Sequence, residues 1–276
     1  RCLIGAPGVA PSLALIGDSH ADHMGPALSR ALAARGQAAV VYTGSWCVPV
    51  PGFGALAPGR GRDCAGRMSA AWEAVLDDPA LTTVIAAAQW GNVVDGGRDT
   101  LPSVAYGSAA TAARAPEDNV TAMEMAFSPL AEQLRLSGKM VLMPEPVPEF
   151  DGSVPDRLAR LAWSGDATAT LAPLGGERVR ATQSAVANLA LRSGARLVPL
   201  RDLFCALGTG GCRVLDRRGA PLWRDASHLS PAGATPVVAR LMDIVDAGPR
   251  QNGGRHGHLS LRQPANAERA GKHVYR

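Results

Sequence analysis

The sequence predicts an α/β fold, a single three-layer α/β/α domain around a mostly parallel, flavodoxin-like, five-stranded sheet. Three observations predict it. Five short apolar runs lie at residues 13–16, 37–43, 82–88, 139–143 and 195–199, each the length of a buried strand. Helical patterns separate them, so the order reads β-α-β throughout, which favours parallel pairing. Gly36, Gly138 and Gly194 stand where three of those helices should stop.

Taken in order, LALI at 13–16 is the first strand, and GDS at 17–19 breaks it. A helix is expected over 20–34 and the second strand over 37–43 (QAAVVYT). Residues 44–64 are dense in Pro and Gly and read as loop. RMSAAWEAVL at 67–76 carries Met68, Trp72, Val75 and Leu76 near one helical face. The third strand, 82–88, runs into a turn, Gln89-Trp90-Gly91-Asn92. Residues 96–115 lack a period and read as a surface excursion. A helix over 122–137 precedes the fourth strand, which Pro144, Pro146 and Pro148 terminate. Helices follow at 156–163 and 178–193, then the fifth strand. A hairpin-like turn spans 215–219 and a last helix 231–247. The expected domain is 1–248, with a basic, Gly-rich and disordered tail at 249–276.

Composition bounds the function. Of 276 residues, 46% are hydrophobic and 19% charged, enough apolar side chain for a full core. The net charge of +4 comes partly from the tail, and no Lys/Arg stripe interleaves with aromatics, which argues against nucleic acid as a partner. No apolar run reaches the ~18 residues of a membrane helix, and no signal peptide is visible. Arg rather than Met stands first, so a segment of a longer chain is expected.

Among the five cysteines, Cys205 and Cys212 flank the small-residue loop ALGTGG, and Cys47 and Cys64 bracket a Pro/Gly-rich loop. Two disulfides, and hence an oxidising compartment, are one reading; buried free thiols are the other. Cys2 is left over or pairs elsewhere. No CxxC or histidine cluster suggests a metal.

Two motifs point to chemistry. Ser19 stands between a strand and a helix N-terminus, where unpaired N–H groups favour negative charge. The alternative is that Ser19 or Asp18 only caps the helix. About 200 residues later comes Asp225-Ala226-Ser227-His228, ahead of the last helix. A serine nucleophile needs a base and a carboxylate to orient it, and Asp225 and His228, three apart, supply both from one turn.

GDSH followed by DxxH resembles the SGNH (GDSL-like) hydrolase superfamily. Gly17 to Ala21, Trp46-Cys47-Val48-Pro49, Val84 to Trp90, Val147-Pro148, Val154-Pro155, Cys205 with Cys212, and LWRDASHLSPAGA at 222–234 narrow the resemblance. Together they are similar to the periplasmic SGNH domains fused to acyltransferase-3-type membrane O-acyltransferases.

The resemblance implies Ser19 as nucleophile, His228 as general base and Asp225 as its orienter. It implies an oxyanion hole from the Ser19 N–H, a Gly after the second strand (Gly44) and an Asn in the turn after the third, a place that Asn92 or Gln89 fills here. Here that last turn departs from the family's GxND, because Gly91 and Asn92 are adjacent and no Asp follows. The implied function is serine-dependent transfer of an acyl group, usually acetyl, to a sugar of a cell-envelope polysaccharide or lipopolysaccharide. The implied setting is periplasmic, tethered to the inner membrane by an upstream acyltransferase domain. The partners are a glycan acceptor and an acyl donor; no cofactor is implied. Alternatives are a free-standing carbohydrate esterase or deacetylase, and a non-catalytic glycan-binding domain.

Other residues carry paired readings. His20 touches substrate or lies on the helix surface, and His23 is expected to be exposed. Trp90 stacks on a sugar or packs in the core, as do Trp46 and Trp223. Asp18 braces its turn. Glu145 and Glu149 form a rim carboxylate pair or belong to a surface loop. His256, His258 and His273 are solvated in the tail.

Overall fold

The computed structural model describes residues 2–55, 63–95, 106–108, 111–112, 116–166, 168–206 and 210–248. The tail, and the excursion over 96–115 apart from five of its residues, lie outside the described residues.

The chain begins with β1 (Cys2–Gly5), β2 (Leu13–Gly17), α1 (Ser19–Asp22), α2 (Gly25–Ala34) and β3 (Ala38–Thr43). β4 (Gly54–Ala55), α3 (Cys64–Asp77), β5 (Thr83–Ala87), α4 (Trp90–Asp95), β6 (Tyr106–Ser108) and β7 (Thr111–Ala112) follow. Next come α5 (Pro116–Leu136), β8 (Met140–Pro144), α6 (Val154–Trp163), β9 (Thr170–Leu171), α7 (Glu177–Ser193) and β10 (Arg196–Val198). A 3-10 turn (Arg201–Leu203), β11 (Cys212–Arg213) and α8 (Pro231–Asp246) complete it.

The central sheet has six strands in the order β1-β3-β2-β5-β8-β10. The five expected strands are all present and parallel. The sixth, β1, pairs antiparallel to β3 at the edge. It was not expected: its four residues are exposed or half-buried and carry little apolar signal.

The interior strands are buried on both faces, and alternation sorts their side chains. Leu13, Leu15, Ile85, Leu142 and Val198 pack with Leu28 and Leu32 of α2 and Val237, Leu241 and Met242 of α8. Ala14, Ile16, Val84, Ala86 and Met143 face Met68 and Trp72 of α3, Phe127 of α5 and Leu189 of α7. The chain is thus the expected three-layer α/β/α structure. Among the described residues no helix is long and apolar enough to cross a membrane.

Two local expectations change. The helix expected over 20–34 is two helices: α1 is closed at His23, and α2 starts afresh with Pro26 in its first turn. The segment after β5, read as a turn, is the helix α4. Both expected disulfides form, Cys47–Cys64 and Cys205–Cys212, while Cys2 is exposed and unbridged.

The segment before α8 is clamped to the loop after β8 and to the end of α1. Trp223 is fully buried, stacks edge-on against Phe150 and donates its indole N–H to the Pro148 carbonyl at 3.0 Å. The Phe150 N–H donates to the Ala226 carbonyl at 2.9 Å. Gly233 lets α8 lie against Leu222, since a Cβ there would strike the Leu222 carbonyl oxygen. The Leu229 N–H donates to Nδ1 of His23 at 3.3 Å, so the end of α1 holds the residue following His228. His23, expected at the surface, is therefore buried. To accept that bond its imidazole stays neutral, and burial, then the nearby His228 and Arg224 charges, push its pKa down to about 3.

Two predictions follow from these contacts. Gly17, at φ +150°, ends β2 where a Cβ would fall on the Ala87 carbonyl oxygen. Gly17→Ala should therefore lower the unfolding free energy by about 2–3 kcal/mol, read by denaturant titration. His23 remains neutral in the fold but takes a proton in the unfolded chain below the ordinary imidazole value, so its contribution is lost as pH falls from 6.5 toward 3. The loss is about 1.3 kcal/mol at pH 5.5 relative to pH 7. His23→Asn, which keeps an acceptor near the Nδ1 position, should show a correspondingly smaller difference in unfolding free energy between those two pH values.

Candidate functional site

Ser19 is the first residue of α1, immediately beyond the carboxyl end of β2. The chain leaves β2 for β3 on one side and β5 for β8 on the other, so a switch point lies between β2 and β5, the crevice where α/β sheets bind ligands. Asp18 fixes the turn from below. Its Oδ1 accepts the His20 N–H at 2.8 Å and its Oδ2 the Gln89 N–H at 2.9 Å, tying the end of β2 to the end of β5. Burial pushes the Asp18 carboxyl up to about 7 against the pull of these amides, with repulsion from Glu149 adding to the rise.

The Asp225–His228 turn is built by its own carboxylate. Oδ1 of Asp225 accepts the N–H groups of Ser227 at 2.9 Å and His228 at 2.7 Å, a side-chain–backbone turn of the kind Asp favours. That fold returns the imidazole to the same group: His228 Nδ1 lies 2.9 Å from Oδ2 and 3.1 Å from Oδ1. Partial burial raises the Asp225 carboxyl, but the two amides and the imidazole outweigh it and hold it below its ordinary value. An ionised acceptor on Nδ1 places the ring proton there and leaves Nε2 as the acceptor. Nε2 faces Ser19 Oγ at 2.8 Å, across 209 residues of sequence. The three residues singled out by the motifs thus form one continuous hydrogen-bonded chain.

They open into a cavity of about 660 Å³. Ser45 and Trp46 line it from the loop after β3, Gln89 and Asn92 from the start of α4, and Glu149 from the loop after β8. Asn92 Nδ2 donates to Gln89 Oε1 at 2.8 Å, and Gln89 Nε2 to Glu149 Oε1 at 3.3 Å. Asn92 is buried and lines the cavity, despite the altered turn sequence. Gly44 stands differently from the expectation: its N–H donates to the Gly17 carbonyl at 3.1 Å and is already committed. The next amide along that loop belongs to Ser45.

Two tentative substrate contacts are corrected. Trp90 is fully buried in the layer beneath α4 and presents no ring face to the cavity, because the helix turns it inward. His20 is also buried; it packs behind His228 with ring centroids 4.8 Å apart and beside His23 at 5.1 Å. Burial drives its pKa well below the ordinary value, with the neighbouring imidazoles and Arg224 adding to the effect. Of the tryptophans, Trp46, held at φ +70°, lines the cavity, as does Phe150. Glu145 and Glu149 hold separate partners: Glu145 accepts the Leu200 N–H at 3.1 Å and Glu149 the Gln89 side-chain amide at 3.3 Å. Among the described residues, no group of His, Cys, Asp and Glu is arranged to hold a metal ion.

Sequence reading missed the Gln89–Asn92–Glu149 relay and the bond from His23. The relay leaves no spacing signal, because its members come from two separate loops. His23 had one: it lies four residues after Ser19, on the same helical face.

Comparison with known proteins agrees with the fold. The periplasmic domain of a lipopolysaccharide acetyltransferase from Salmonella ser. Paratyphi A superposes with a TM-score of 0.63 at 13% identity, covering 86% of this chain and 84% of that one. A putative SGNH hydrolase from Slackia heliotrinireducens gives a TM-score of 0.47 at 16% identity, over 86% of this chain and 99% of that one. A GDSL-like lipase from Bacteroides thetaiotaomicron gives 0.47 at 9% identity, over 86% and 88%. No curated protein matches the chain. The family model described as "SGNH domain (fused to AT3 domains)" matches residues 1–243. With that match over nearly all of the described chain, and a mostly parallel sheet of the same class, the chain belongs to the SGNH domain family, of the kind fused to AT3 domains.

Proposed function

We propose that this domain is a serine acyltransferase that moves an acyl group, usually acetyl, onto a sugar hydroxyl of a cell-envelope polysaccharide or lipopolysaccharide. The observation that carries the reading is the 2.8 Å contact between Ser19 Oγ and His228 Nε2, with Asp225 on the far ring nitrogen. Family membership supports acyl chemistry of the SGNH type, and the fusion that names the family supports a membrane acyltransferase as partner domain. Two disulfides support an oxidising, periplasmic setting.

In the first step Ser19 Oγ attacks the acyl carbonyl of the donor while His228 Nε2 takes the hydroxyl proton. Asp225 stabilises the imidazolium. The tetrahedral oxyanion meets the Ser19 N–H, which the first turn of α1 leaves without a helical partner, the Asn92 amide and the Ser45 N–H. Collapse breaks the bond to the donor's leaving group, which takes the proton from His228 and leaves acyl-Ser19. In the second step the sugar hydroxyl attacks that ester, giving its proton to Nε2. The acylated sugar departs and the proton returns to Ser19 Oγ. His20 and His23, buried and neutral, let the only new positive charge of the cycle arise on His228 beside Asp225. Trp46 is the ring placed to meet the acceptor sugar. If water replaces the sugar, the same steps describe an esterase. The buried Asn92 amide at the cavity supports either enzyme over a binding-only domain.

Wild-type protein should be labelled by a fluorophosphonate probe, and Ser19→Ala and His228→Ala should each abolish labelling; labelling of Ser19→Ala would overturn the nucleophile assignment. Asp225→Asn should slow turnover of an activated acetyl ester by about 10³–10⁴-fold through loss of the correct tautomer. With such an ester and envelope glycans together, acetylated sugar favours transfer, and free acetate alone favours the esterase.

A further inference from the structure

Asn92 helps the reaction only when it presents the nitrogen end of its amide. The two ends of that group fill nearly the same space, and a half-turn would put a carbonyl oxygen where the N–H must be. An oxyanion facing that oxygen would be repelled. Something has to fix the sense of the amide, and the loops after β5 and β8 contain it.

Asn92 Nδ2 donates to Gln89 Oε1 at 2.8 Å, and Gln89 Nε2 donates to Glu149 Oε1 at 3.3 Å. Each of the two amides is reversible; the last member is not. An ionised carboxylate only accepts. Glu149 therefore draws Nε2 of Gln89 toward itself. That turns Oε1 of Gln89 toward Asn92, where it accepts only the Nδ2 end. One hydrogen of Nδ2 goes to Gln89, and the second is the one an oxyanion would take. A single charge thus sets the direction of every bond in the relay.

The mount of that charge is firm. Glu149 lies between two residues held by the segment that carries His228. The Pro148 carbonyl accepts the Trp223 indole N–H at 3.0 Å, and the Phe150 N–H donates to the Ala226 carbonyl at 2.9 Å. The carbonyl of Glu149 itself accepts the Leu174 N–H at 2.6 Å. At the other end, the Gln89 N–H donates to Asp18 at 2.9 Å and the Gln89 carbonyl accepts the Asn92 N–H at 3.0 Å. The backbone is set at both ends, so the sense of the side-chain amides is what the carboxylate decides. All three side chains belong to residues that line the Ser19 cavity. Supporting bonds of this kind hold a reacting constellation in its productive geometry.

We infer that Glu149 is a positioning residue of the site: acting through Gln89, its carboxylate keeps the Asn92 amide turned as a donor to the tetrahedral oxyanion. This rests on the acyl-transfer reading above. It goes beyond it by giving a role to a residue outside the Ser19–His228–Asp225 chain. It also accounts for an Asn that works in a turn whose sequence departs from GxND.

The test follows hydrolysis of p-nitrophenyl acetate by the full chain. An oxyanion donor acts in the transition state alone, so its loss lowers kcat and kcat/KM together and leaves KM unchanged. Asn92→Ala should lower kcat about 10²-fold. Glu149→Leu should lower it about tenfold, the fall expected when the donor end faces the cavity about a tenth of the time. Gln89→Leu, which cuts the relay one link nearer, should do the same. Glu149→Gln, whose Oε1 still accepts, should keep kcat within about threefold of wild type. In the Asn92→Ala background, Glu149→Leu should lower kcat no further, because the amide it orients is gone. Thermal unfolding checks that each variant folds. A wild-type kcat in Glu149→Leu and Gln89→Leu, or a change in KM alone, overturns the positioning role. So does an equal loss from Glu149→Leu with and without Asn92, or a wild-type kcat in Asn92→Ala. Failure of the fluorophosphonate to label wild-type protein overturns the acyl-transfer reading instead, so the two failures are distinct.

Discussion

The site depends on a single hydrogen bond between groups 209 residues apart, from the Ser19 hydroxyl to His228 Nε2. Such a bond contributes only about 1 kcal/mol net, far too little to draw two ends of a chain together. The apolar layer does that, through Leu28 and Leu32 of α2 and Val237 and Leu241 of α8 on the face of β2. Polar contacts then set the final ångström. Asp18 holds the serine turn, His23 holds Leu229, and Phe150 holds Ala226. Reactive geometry is here a consequence of core packing, refined by a few buried bonds.

Electrostatics divides the labour between two aspartates of the site. Asp18 is enclosed, and burial wins over its amide bonds, so its carboxyl is pushed up. Asp225 is half-exposed beside an imidazole and two amides, and stays ionised well into acid. The first therefore suits a structural brace and the second a partner for a developing imidazolium. The two buried histidines behave consistently with this. Packed beside His228, they are kept neutral by burial and add no competing charge.

The Ser19–His228–Asp225 chain sits at the open carboxyl edge of a parallel sheet. Each strand end there delivers a loop: β2 the serine, β5 Gln89 and Asn92, β8 the Glu145–Glu149 segment, β10 Arg201 and Asp202. Neighbouring strands lie about 4.8 Å apart, so the loops after β2 and β5 bring Ser19 and Asn92 to one cavity.

By itself the sequence determined the five parallel strands, because their apolar runs and the helices between them are local patterns that burial on both faces enforces. It likewise marked Ser19, Asp225 and His228, since a strand-to-helix turn and a three-residue carboxylate–imidazole spacing are local devices, and it marked the two cysteine pairs through their loops. Only the tertiary structure decided what depends on neighbours distant in sequence. The edge strand β1 exists because β3 offers it a free side. Trp90 lies in the core and Trp46 at the cavity because α4 turns one inward and the loop after β3 places the other at the rim. Gly44 gives its amide to Gly17, and His23 leaves solvent for Leu229, because backbone groups brought into the interior must find partners and the chain's composition does not say which.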